Sequence, residues 1–229
     1  MTPMVDHLHS MKTIATVIFF ITILQNSICQ GNDPGPHCNG ESRMTPFNRR
    51  DFLQGHNFKR VLLAGGNFRV SFPPAGNMNY LTYNCDLEQA AHEIASACHL
   101  YDYYDFNYVG NNSAKFEGPY FDINFITDAV NQWWDLGKKY SNLENLTPSE
   151  DNSPMIPFLQ MANGETAELG CSYNLCESTD DDSSSFFLLV CKYGKPYIET
   201  GKAIYTEGKA CNSCGGKCVW SMLCDNTAV

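Results

Sequence analysis

Eleven cysteines in 229 residues constrain this chain more than any other feature, because an odd number cannot close into pairs. The N-terminus resolves the mismatch. Residues 1–10 are polar, Lys12 is positive, and residues 13–24 form an apolar run too short to span a bilayer, which is the pattern of a secretory signal rather than an anchor. Ser27 and Cys29 supply the small side chains a signal peptidase inspects. Cleavage after Cys29 would leave Gln30 first, with Met1 or Met11 as initiator. Removing Cys29 leaves ten cysteines, and in an exported chain these are disulfides by default. The remaining ~200 residues can bury a core without metal, so the bridges add resistance to unfolding and proteolysis.

The stretch 78–101 organises the rest. Leu87, Ala90, Ala91, Ile94, Ala97, Cys98 and Tyr101 recur at helical spacing, with Glu88, Gln89, Glu93 and Ser96 on the wet side. Asp86 and Gln89 have capping-box spacing, so the helix begins near Cys85. Cys85 and Cys98 can fasten its two ends.

Upstream, Thr45 and Pro46 open a helix that Gly65 and Gly66 end. Its inner side carries Leu53, His56, Asn57, Arg60, Val61 and Ala64, which predicts a buried hydrogen-bonding cluster of His56, Asn57 and Arg60. A tyrosine- and asparagine-rich stretch before Phe121 reads as a long surface loop suited to binding. A third helix follows over about 122–140, with Ile126, Ala129, Val130, Trp133, Gly137 and Tyr140 inward. Ser153 and Pro154 open a short helical turn through Met161, in which Pro157 is tolerated because it stands in the first turn. Two strands, from Thr166 and from Ser185, close a small sheet with helices on both sides. The tail from Gly208 reads as a disulfide knot on an extended hinge; zinc at Cys211 and Cys214 is the alternative, which an exported chain disfavours.

The net charge of −10, densest at Asp180–Asp182, argues against nucleic acid and anionic membranes as partners. His92 and Glu93 begin like a zinc-protease helix, but Ser96 stands where the second histidine belongs. No nucleophile elbow or phosphate loop is present. Asn111 and Asn145 head glycosylation sequons.

Several blocks in order resemble the CAP superfamily of cysteine-rich secretory, antigen 5 and pathogenesis-related proteins. They are the nonapeptide from Phe52 with His56, Asn57 and Arg60, the segment from Met78 through Cys85, and Trp133-Trp134 with Tyr140. Phe158 to Ala162, Leu169 to Cys171 and Leu189 to Tyr193 complete the series. The block at Cys85 and the cysteine-rich tail look most like nematode activation-associated secreted, venom allergen-like proteins. The resemblance implies an α/β fold, a three-layer α-β-α sandwich with a small antiparallel sheet and a cysteine-rich C-terminal hinge. It divides the chain into a signal peptide over 1–29, a CAP domain over 30–200 and a tail over 201–229. It also implies disulfides Cys171–Cys191, Cys98–Cys176, Cys211–Cys218 and Cys214–Cys224, which leaves Cys38 for Cys85.

Metal-binding members of that family line a cavity with two histidines and two glutamates. Following the flanking motifs, those positions hold Asp102, Asn111, Leu136 and Pro157 here. Leu136 and Pro157 can neither ligate an ion nor move a proton. Register slips would offer His99 or Asp135 instead. The expectation is a secreted, non-enzymatic binding protein with no cofactor and no membrane-spanning segment, directed at a host receptor or secreted protein as an immunomodulator of a parasitic nematode. An extracellular sterol or fatty-acid carrier is the alternative; a hydrolase ranks last.

Overall fold

The computed structural model describes residues 35–68, 72–99, 105–106, 109–140, 143–177 and 184–225. The expected signal segment, Asp102, most of the tyrosine-rich loop and the acidic run at Asp180–Asp182 lie outside these residues.

Helix α1, Pro46–Ala64, starts as its sequence dictates, with Thr45 as N-cap accepting from the Asn48 amide and Pro46 in the first turn. Its buried face includes Phe52 and Leu63 beside His56, Asn57, Arg60 and Ala64; Leu53 and Val61, expected inside, are only partly buried. Strand β1, Thr82–Tyr83, leads into α2, Cys85–Ser96. The N-cap of α2 is Asn84, whose side chain accepts from the amides of Asp86 and Leu87, in place of the expected Asp86–Gln89 box. The buried residues of α2 are Glu88, Ala91 and Ala95; Ala91 is as expected, and Ile94 and Cys98 pack against the same patch, but the face is rotated to take in Glu88 and Ala95. The rotation has a cause: Glu88, expected in water, is drawn inward by Arg49 of α1, which donates from Nε at 2.6 Å and from Nη2 at 2.8 Å. Ser42 and Tyr83 donate to the same carboxylate. Ala97, expected inside, is exposed beyond the helix end.

Strand β2, Asn111–Glu117, runs through the stretch expected to be loop. Its alternation of half-buried and buried side chains is a strand pattern hidden by polar residues. Helix α3, Asn124–Lys139, buries Ile126, Ala129, Val130, Trp133, Trp134 and Gly137, close to the expected set; Tyr140 lies just past its end. Two short 3₁₀ turns, Glu144–Leu146 and Glu150–Met155, precede α4, Ile156–Ala162, with Pro157 in its first turn. Strands β3, Glu168–Cys176, and β4, Phe186–Tyr193, form the centre of the sheet.

The strand order is β1-β3-β4-β2, antiparallel except for the short parallel β1–β3 pair. Alternation along β3 and β4 sends Leu169, Cys171, Leu189, Cys191 and Tyr193 toward α1, α3 and α4, and Leu188 and Val190 toward α2. This is the three-layer sandwich. Gly170 lets α2 sit directly on β3, since a Cβ there would fall 2.2 Å from the Glu88 amide nitrogen.

The disulfides join Cys38 to Cys85, Cys98 to Cys176, Cys171 to Cys191, Cys211 to Cys218 and Cys214 to Cys224, the pairing the family resemblance implies. The tail is not extended. Its hairpin of β5, Lys217–Val219, and β6, Leu223–Asp225, is hydrogen-bonded to the segment before β1. Tyr80 N donates to Cys224 O at 2.7 Å and Cys224 N to Met78 O at 2.8 Å. Leu223 and Cys224 are buried in that contact, so residues from Gly35 onward form one compact unit. Among the described residues no helix is long and apolar enough to cross a membrane.

Candidate functional site

Helix α1 sends three polar side chains into the core one after another, and each finds partners there. Asn57 imitates a strand neighbour, donating to Leu81 O at 2.9 Å and accepting from Leu81 N at 2.8 Å. Arg60 is fully buried and reaches five carbonyl oxygens, those of Asn79, Met161, Asn163, Gly164 and Thr166, at 2.8–3.3 Å. Burial lowers its pKa to about 9, which leaves it protonated at neutral pH, with the carbonyl dipoles in place of water.

His56 is likewise fully buried. Its Nδ1 lies 2.8 Å from Phe52 O, which can only accept, so that nitrogen carries the proton. Nε2, 2.9 Å from Tyr193 Oη, then accepts from the phenol. Tyr193 Oη accepts in turn from Asn112 Nδ2 at 2.8 Å, and the same amide donates to Pro157 O at 2.9 Å. Burial pushes the His56 pKa down to about 4 and the Tyr193 pKa well up. Both groups stay neutral and sealed between α1, β2 and β4, so neither meets a substrate proton.

The four positions that the family resemblance implies for a cavity do not come together in one ligand cluster among the described residues. Asp102 lies outside the described residues. Asn111, at the start of β2, is half-buried, and its Oδ1 accepts from Lys192 Nζ at 2.7 Å. Leu136 packs against the core from α3, and Pro157 is fully buried in α4. The side chains of Leu136 and Pro157 carry no atom that could ligate a divalent ion, and the Asn111 amide oxygen is already held by an ammonium. His99 is exposed, its Nδ1 3.0 Å from Ala97 O, and Asp135 pairs with Lys138 at 2.6 Å, so neither replaces a missing ligand. Among the described residues no three His, Cys, Asp or Glu side chains converge to hold a metal.

Behind Pro157, Gln160 Oε1 accepts from Gly110 N at 3.1 Å. Gln160 Nε2 and Asn112 Oδ1 are buried without a partner among the described residues. Gly110, at φ +98°, is the turn into β2, and the Tyr197 ring packs where its side chain would stand. Tyr197 also walls an open groove of about 820 Å³, which Val109, Glu150, Lys195 and Glu199 line as well. This groove offers carboxylates and an ammonium but no histidine or cysteine among its lining residues. Of the sequon asparagines, Asn145 is exposed in a left-handed turn, φ 49°, and Asn111 is tied to Lys192.

Sequence reasoning reached His56, Asn57 and Arg60 through their helical spacing. It missed Asn112, Gln160, Tyr193 and the Arg49–Glu88 pair. The available signal was a charged residue, Glu88, at helical spacing from the two small residues Ala91 and Ala95, which marks a buried charge in search of a counter-charge.

The model of the cysteine-rich secretory protein family matches residues 53–193. Scoloptoxin SSD552 of Scolopendra dehaani is 30% identical over 179 residues, 72% of this chain and 77% of that protein. Human peptidase inhibitor 15 is 28% identical over 163 residues, and the match covers 64% of this chain and 62% of that longer protein. Among solved structures, NaASP2 with Zn²⁺ superposes with a TM-score of 0.65 at 25% identity, over 82% of this chain and 100% of that one. The family match spans well over half of the sequence, and the chain belongs to the cysteine-rich secretory protein (CAP) family.

Proposed function

We propose that this protein is a secreted, non-enzymatic binding protein that acts through its surface on a host receptor or secreted host protein, as an immunomodulator of a parasitic nematode. One observation carries the reading. Where metal-binding relatives keep ligands, this chain has Asn111 bound to Lys192, Leu136 in apolar packing and Pro157 buried, and the nearby His56 is sealed and neutral. Five disulfides suit a chain that works outside the cell. Export, the cleavage site after Cys29 and glycans at Asn111 and Asn145 belong to the same reading.

The test is capture from host serum and leukocyte membranes by chain secreted from eukaryotic cells, alongside lipid extraction and peptidase and esterase assays on the same preparation. A saturable protein partner, no stoichiometric lipid and no turnover are expected. Stoichiometric sterol or fatty acid would favour the carrier. Hydrolysis that disappears in His56→Ala would establish an enzyme.

A further inference from the structure

The sheet ends on β2, and the register fixes what its free edge offers. Gly110 O accepts from Tyr193 N at 3.0 Å, and Gly118 N donates to Ser185 O at 2.9 Å. Antiparallel ladders alternate, so the even-numbered residues between them turn their backbone polar groups toward β4 and the odd-numbered ones turn theirs outward. Ser113 agrees, since its outward carbonyl is taken by Trp133 Nε1 at 2.9 Å. Further along, the outward N–H and C=O groups of Lys115 and Glu117 have no strand beside them among the described residues.

Open edges are commonly guarded by a lone charge that repels a second copy. The guard here has both signs. Lys115 and Glu117 share one face of β2 and pair at 2.6 Å. A two-fold axis at Phe116, with the strands antiparallel, sets Lys115 opposite Glu117 of the second copy and the reverse. The same register places outward-facing backbone against outward-facing backbone at both positions, so each becomes a doubly hydrogen-bonded pair. Phe116 then faces its own copy from a half-buried stack with Phe125, ring centroids 4.6 Å apart. Beyond the end of β2 stand two large exposed side chains, Tyr120 at 84% and Ile123 at 50%. They add apolar surface at the margin of such a contact.

We propose that the β2 edge is a self-association surface, on which a second copy of this chain pairs antiparallel about Phe116 with Lys115 opposite Glu117. The inference does not depend on which host molecule the protein binds.

The test is sedimentation equilibrium of the full secreted chain, N-glycans removed enzymatically, over micromolar to millimolar concentrations. A monomer–dimer equilibrium is expected. Lys115→Glu and Glu117→Lys, each placing like charges face to face, should weaken the dimer at least tenfold, and the double reversal should restore it. Hydrogen exchange at the Lys115 and Glu117 amides should slow as the dimer fills. Circular dichroism of the variants should match the parent, because both side chains are exposed and give up only surface contacts, Lys115 over the Phe186 ring and Ser184 Oγ to Glu117. A monomer at every concentration, a dimer indifferent to either single reversal, or one that the double reversal fails to recover overturns the proposal.

Discussion

The two helical layers that cover the sheet are built on different principles. On one face α1, α3 and α4 enclose a broad core in which Phe52, Trp134, Phe158, Leu159 and Tyr193 are fully or almost fully buried. On the other, α2 offers Ala91 and Ala95 to Leu188 and Val190, a patch of few and mostly small side chains. Apolar stabilisation scales with area removed from water, so the broad layer can hold itself and the thin one cannot. The thin layer is instead tied down at both ends, by Cys38–Cys85 at the start of α2, Cys98–Cys176 just past its end and the Arg49–Glu88 pair between them. The helices of the broad layer can therefore carry buried polar groups with no disulfide of their own, the Cys171–Cys191 bridge beneath them joining β3 to β4, and the thin layer holds its buried charge against a counter-charge.

The largest effect is expected at Arg60. Arg60→Met keeps the volume but strands five carbonyl oxygens in the broad core, and should cost about 4–5 kcal/mol in denaturant unfolding. A cost under ~1 kcal/mol would mean that packing alone holds that layer. Next comes the staple. The paired change Cys98→Ala and Cys176→Ala opens a loop with a sequence separation of 78 residues, which by chain entropy should cost about 4 kcal/mol, and should raise hydrogen exchange in α2 before it does so in α1. Equal loosening of both layers would erase the distinction.

Glu88→Gln should cost about 3 kcal/mol, because the Arg49 guanidinium is left buried beside a neutral amide. The acid response separates the layers differently. His56 has a folded pKa of about 4 against an ordinary value of 6.5, so the unfolded chain binds the extra proton between those limits. Its contribution is complete above pH 6.5 and falls as the pH drops toward 4; by pH 5 the loss relative to pH 8 should reach about 2 kcal/mol. Glu88, its pKa lowered by hydrogen bonds from Arg49, Ser42 and Tyr83 in spite of burial, loses its share only below the ordinary carboxylate range. Melting temperature against pH in His56→Gln should therefore be flatter between 6.5 and 4 while keeping the drop at lower pH.

The broad layer was the more legible of the two in the sequence. Its large residues recur at helical spacing, and the inward polar run His56, Asn57, Arg60 follows the same period, so burial and the need for partners can be read together. The thin layer misled because alanines and a glutamate give a weak periodic signal, and the face of α2 is set by Arg49, 39 residues earlier in the chain. Strand β2 was hidden for a related reason. Its side chains Asn111, Asn112 and Ser113 read as loop, although the buried amide of Asn112 is satisfied by Pro157 and Tyr193, which only the folded chain brings near. The inert character of positions 136 and 157 was visible at once, since no environment gives leucine or proline a ligand atom. That Lys192 holds Asn111 was not.

The smallest effect tests the start of α2, where the layer is thinnest. Asn84 accepts from the Asp86 amide at 2.9 Å and the Leu87 amide at 3.0 Å, satisfying two donors that the helix itself leaves open. Asn84→Ala should cost about 1 kcal/mol. Asp86→Ala removes only an exposed first-turn carboxylate from the positive end of the helix, and should cost no more than a few tenths of a kcal/mol at moderate salt. If the order were reversed, Asp86 would be the true cap, α2 would begin a residue or more later, and Glu88 would lose the helical register that carries it inward to Arg49.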